Sequence, residues 1–292
     1  MIVMQQLDIF EDSIAVQRVN ALIAALGRFD HQASQHALQA MILADSEYAG
    51  LIHFQTLCEF VGYWSDANHT PDWSHTPPDI AATVQMIETR IMPATVVMGD
   101  HRHALLHRIW FELARSSETA SIGPEHGDGF AAELYLRAQQ FPEAVRTAQR
   151  LPGADLRAAV QRWLGLGHYG CGAVESARRA ALRYAWLAPM RFGAFVEEAG
   201  DAALARDWRE FQSDLGDLDA AWFPAWCAHE KKASAAISDN LPQCDGATAY
   251  RLVTALIRRE RGGLCAEVYE DRARLKRLNE SFFEFYLMRR SA

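Results

Sequence analysis

WLGLGHYGCGAVESARRAALRYAWLAP, Trp163–Pro189, is the stretch that decides the fold. Its two ends are helical in pattern, and the four glycines of WLGLGHYGCG, Gly165, Gly167, Gly170 and Gly172, lie at a helix–helix turn between them. Ala177 and Ala181 follow one helical turn apart. Small residues on the facing sides of two helices let their backbones approach closely. Pro189 closes the second helix, because proline cannot continue one. The stretch therefore predicts two antiparallel helices joined by a tight turn.

The same periodicity runs outward in both directions. Towards the N-terminus it predicts a helix from about Ile14 to Leu26, capped by Asp12 or Ser13 and ended by Gly27. Helices follow over Ala33–Leu43, Leu51–Val61, Asp79–Met98 with a kink or interruption at Pro93, and His101–Arg115. Ser65–Pro78, with three prolines, reads as a loop, and Ser116–Gly129 as a linker. Beyond it shorter helices are expected over Phe130–Phe141, Pro142–Leu151, Ala154–Leu166, Ala173–Ala188, Phe192–Ala205, Trp208–Leu215, Trp222–Ala236 and Ala247–Arg259, with a final set to Arg289. No stretch alternates with the period of two that a half-buried strand needs. The expectation is an all-α chain of about 12–15 helices without a sheet, divided into an N-terminal peptide (1–11), a helical subdomain (12–115) and an array of helix pairs (130–292).

LGRFDHQA (Leu26–Ala33), AQQFPEA (Ala138–Ala144) and LARDWREF (Leu204–Phe211) echo one another, each placing an aromatic at an expected helix–helix turn. Together with Trp163, Leu166, Gly167, Ala177, Ala181 and Pro189, they resemble the tetratricopeptide pattern in a degenerate form. The spacing from Gly167 to Pro189 is about two residues short of that pattern. The resemblance covers about half of the chain. It implies a stack of antiparallel helix pairs acting as an interaction scaffold, with a protein partner on its concave surface.

Composition narrows the function classes. Among 292 residues, 37 are acidic and 29 basic, so the net charge is −8. That argues against direct nucleic-acid binding, which rests on clustered positive charge. From Arg251 to Arg290 ten basic residues face six acidic ones, and the negative excess lies upstream. The five cysteines are scattered without a CxxC pair, which indicates neither a disulfide framework nor a zinc ribbon and fits reduced thiols in a cytoplasm. No basic leader and no run of eighteen apolar residues stands out, so neither export nor a membrane span is expected.

Patterns for chemistry are sparse. DHRHALLH, Asp100–His107, puts His103 and His107 one helical turn apart, where two imidazoles can share a metal, with His101, Asp100 or Glu112 as further ligands. The glutamate of HExxH, which activates the attacking water, is missing. There is no GxSxG, GxxxxGK[ST] or GxGxxG motif. Cys227 and His229 point apart on a helix, while Trp222, Trp226 and Phe282–Met288 read as core. No cofactor is indicated.

One short segment points outward. Gln6-Leu7-Asp8-Ile9-Phe10 resembles the peptide by which bacterial replication and repair proteins dock on the sliding clamp, departing from its pattern only at Ile9. The resemblance implies that Leu7, Ile9 and Phe10 enter an apolar pocket on the clamp, with Gln6 hydrogen-bonded at its rim and Asp8 near solvent. A short segment with aliphatic and aromatic anchors suits this use, because few residues are ordered per anchor buried. The same side chains could instead pack on the first helices, with Phe10 as a staple before the cap. Three readings follow: a non-enzymatic adaptor that docks on the clamp, a metal-dependent enzyme built on His101, His103 and His107, and a homo-oligomeric scaffold whose N-terminal segment only packs.

Overall fold

The computed structural model describes residues 14–69, 80–119, 130–230, 240–263 and 265–288. Every regular element among them is helical, with no strand. The chain divides into two compact units, Met1–His126 and Gly127–Ala292.

In the first unit α1 (Ile14–Gly27), α2 (His31–Ala44) and α3 (Leu51–His69) pack in sequence. Leu22, Leu26, Leu38, Met41, Phe54, Leu57 and Val61 close the core between them. The next stretch departs from expectation. It runs through α4 (Ile80–Met86), a π turn (Ile87–Ile91), α5 (Met92–Ala94) and a 3-10 turn (Thr95–His101) before α6 (Arg102–Thr119). Pro93 does not interrupt it. The amide of Met92 donates to the Ile87 carbonyl, five residues back, so a widened turn stands just before the residue that has no N–H to give. The break comes at Gly99, whose φ of 55° leaves helical space.

The second unit is built of consecutive helix pairs: α7 (Phe130–Arg137) with α8 (Phe141–Gln149), α9 (Ala158–Gly170) with α10 (Val174–Leu187), α11 (Phe192–Ala199) with α12 (Ala202–Leu215), α13 (Phe223–His229) with α14 (Asp245–Arg259), and α15 (Ala266–Leu278) with α16 (Glu280–Met288). The opening motif behaves as its small residues require. A Cβ on Gly165 would lie 2.8 Å from Phe195 of α11, one on Gly167 2.7 Å from Val145 of α8, and one on Gly170 2.2 Å from the Phe141 ring. Three glycines on α9 thus seat side chains from two neighbouring helices, α8 and α11. Helix α9 touches α7, α8, α10 and α11, so α7, α9 and α11 form one layer. An aromatic core follows: Phe192, Phe211, Phe223 and Trp226 are buried, with ring centroids 5.3–6.1 Å apart where they meet. Burying each such ring contributes about 1.5–3 kcal/mol.

The turns share a geometry that the aromatic echo does not capture. Phe29, Gln139 and Gly172 all have positive φ, at 57°, 54° and 71°. In each case the residue's own amide donates three residues back, to Leu26, Leu136 and Tyr169, and the next amide five back, to Ala25, Tyr135 and His168. This paired arrangement satisfies carbonyls that a helix end would otherwise leave unmade. Gly27 is the last residue of α1, as expected, and the left-handed turn that follows is made at Phe29. LARDWREF lies wholly within α12, not at a turn. The corresponding turn is Gly200-Asp201: Gly200 has a φ of 63°, and the Asp201 carboxylate caps α12 by accepting from the Leu204 amide. The helix expected over Phe192–Ala205 is therefore two helices.

Candidate functional site

Gln6, Leu7, Asp8, Ile9 and Phe10 lie outside the described residues. His103 and His107 do share a face of α6, with ring centroids 6.5 Å apart. His101 ends the preceding 3-10 turn, and His101 and His103 are exposed. Among the described residues no three His, Cys, Asp or Glu side chains are placed to hold a metal together. Cys227 is buried, whereas the His229 ring packs edge-on against Phe285 and Tyr286 with Nδ1 3.1 Å from Glu230. Trp222 and Trp226 are core residues, and the Trp226 indole donates to Asp214. Among the described residues no helix is long and apolar enough to cross a membrane.

The feature with the most developed chemistry lies on the layer of α7, α9 and α11. A cavity of about 380 Å³ opens there, lined by Leu136, Phe141, Leu166, Tyr169 and Ala199 and rimmed by Glu133, Arg137, Arg162 and Glu198. Arg162, near the start of α9, spans the rim. Its Nη1 donates to Glu133 Oε2 on α7 at 2.7 Å, its Nε to Glu198 Oε2 on α11 at 3.0 Å, and its Nη2 to Glu198 Oε1. Glu133 Oε2 also accepts from the Trp163 indole at 2.6 Å, and Glu133 Oε1 lies 3.5 Å from Arg137 Nε. Burial disfavours the Arg162 charge, but the two carboxylates outweigh it and hold its pKa above the ordinary guanidinium value. A planar fork suits this double role, since it meets one carboxylate with two parallel N–H groups and still reaches the other.

A second charged cluster lies behind Tyr169. Arg178 of α10 reaches Asp207 at 3.4 Å and the capping Asp201 at 4.0 Å. Burial, with Asp201 adding to it, pushes the Tyr169 hydroxyl well above the usual phenol range; Arg178 opposes them. Tyr169 is thus held as a neutral ring in the cavity wall.

Reading single helices misses Glu133, Arg162 and Glu198, because none belongs to a catalytic or binding motif. The three stand 29 and 36 residues apart, on either side of the roughly 34-residue period of paired-helix repeats, but no local pattern singles them out among the other charges. Comparison of the chain with protein-family models, curated proteins and solved structures yields no match.

Proposed function

We propose that this chain is a non-enzymatic adaptor: a tetratricopeptide-like stack whose α7–α9–α11 cavity holds a segment of one protein partner. The observation that carries this reading is the cavity itself, where three helices from successive pairs line half-buried apolar side chains with a pre-tied polar rim. The Gln6–Phe10 peptide supplies the second contact, docking on the bacterial sliding clamp; its support is the five-residue resemblance. An acidic protein can act at DNA in this way, because the ring supplies the contact to the duplex. The test is calorimetric titration of the intact protein with a bacterial sliding clamp, alongside a Leu7→Ala/Phe10→Ala variant. Micromolar binding that the variant loses is the expected result. Absence of binding by a sample that melts cooperatively removes the clamp from the reading. A change of solution mass on deleting residues 1–11 assigns the segment to self-association instead.

A further inference from the structure

We infer that the cavity on α7, α9 and α11 selects a partner segment through one large uncharged apolar side chain and turns away charged ones. This rests on the adaptor reading and adds the partner's chemistry to it.

The rim is electrically closed. Arg162 commits Nε, Nη1 and Nη2 to Glu133 and Glu198, and Glu133 is further engaged by the Trp163 indole and Arg137. Two carboxylates and two guanidinium groups therefore compensate one another within the rim. The second unit as a whole is near neutral: residues 127–292 carry 22 acidic and 23 basic side chains, whereas residues 1–126 carry 15 and 6. A partner charge entering the cavity would give up water and, among the described rim residues, meet no counter-charge left over, which is unfavourable. An apolar side chain pays no such cost and covers Leu136, Phe141, Leu166 and Ala199, which the fold leaves only half-buried. The volume of about 380 Å³ lies at the small end of the range for ligand pockets, about 300–1,000 Å³, and admits one large side chain with part of its backbone.

The experiment is selection of a displayed random peptide library on the intact protein, followed by anisotropy on a synthesised, labelled winner. The expected consensus has one Leu, Met, Phe or Trp at a fixed position with no charged residue beside it. Its affinity should change less than about twofold between about 50 and about 500 mM NaCl, since screening acts on exposed charges. Ala199→Phe, which narrows the cavity without adding a polar group, should weaken binding about tenfold or more while the melting temperature reports that the fold is kept. A charged consensus, or affinity that falls about tenfold with salt, overturns this inference and leaves the adaptor reading standing. Winners indifferent to Ala199→Phe overturn it too, by placing the peptide elsewhere on the surface. Failure to enrich any peptide on a cooperatively folded sample counts against the adaptor reading of the cavity itself.

Discussion

At Gly246 the chain has no room for a methyl group. A Cβ there would stand 1.9 Å from the carbonyl oxygen of Ala221, and a backbone atom cannot swing aside as a side chain can. Gly246→Ala should lower stability by about 1–3 kcal/mol, read from the urea midpoint, because overpacking outweighs the gain in helix propensity. Gly27, with nothing within 4 Å of its would-be Cβ, is the control. Gly27→Ala should be neutral or raise stability by up to about 1 kcal/mol. Cys58 offers a second test at this scale. Burial pushes its thiol from 9.0 up to about 11, with the Ser34 side chain opposing the effect and Glu59 adding to it. Below pH 9 the thiol is protonated in both folded and unfolded chains, so it exacts no penalty there. As pH rises from 9 to 11 only the unfolded thiol ionises, and stability falls. By pH 11 the loss should reach about 2–3 kcal/mol. Denaturation at pH 8 and pH 11 checks this: Cys58→Ala should lose that much less than the parent over the same interval.

Among the elements, the turns are the informative part. Phe29 and Gln139 occupy a left-handed conformation that costs a side-chain-bearing residue about 1–2 kcal/mol. The two hydrogen bonds of the turn hold them there. Gln139 is exposed, so Gln139→Gly should relieve strain without losing packing and raise stability by about 0.5–1 kcal/mol in thermal denaturation. Asp201→Ala removes the cap of α12 and should cost about 1 kcal/mol.

These turns also mark how far local sequence can be read. The helices announce themselves through apolar spacing, and the glycines of Trp163–Pro189 give away the tight pairing, because both signals are local. Gly172 and Gly200 could be read as turns for the same reason, although apolar periodicity running on through Gly200 hid the break. The turns around Phe29 and Gln139 are marked by their aromatics, but the positive φ of these two residues is not, since neither residue type favours it and tertiary context imposes it. Pro93 misled because a π turn upstream accommodates what proline lacks. The cavity was illegible for a different reason. Its rim is made of Glu133, Arg162 and Glu198, ordinary surface residues whose meaning lies in distances across three helices. The one motif that did stand out, Gln6–Phe10, falls outside the described residues.

Across the whole molecule, charge and architecture are divided between the two units. The entire acidic excess belongs to residues 1–126, and the near-neutral second unit carries the cavity. Within that second unit Arg162 ties α7 to α11 through α9. Arg162→Met would leave Glu133 and Glu198 facing each other without their shared cation. The groups are partly exposed, so water screens much of the repulsion, and the expected loss is about 1 kcal/mol in urea denaturation. Pairing Arg162→Met with Glu198→Gln should return a coupling energy of at least about 0.5 kcal/mol.

The same tie has a consequence for time. A pocket whose walls are already fastened has no closing step to wait for, so its occupant meets a finished surface. In stopped-flow mixing the observed rate should climb linearly with partner concentration, in a single phase and without a plateau, at about 10⁵–10⁷ M⁻¹s⁻¹. With Arg162→Met the three helices lose their fastening. A slower, saturating phase should then emerge as the walls are brought together by the guest itself.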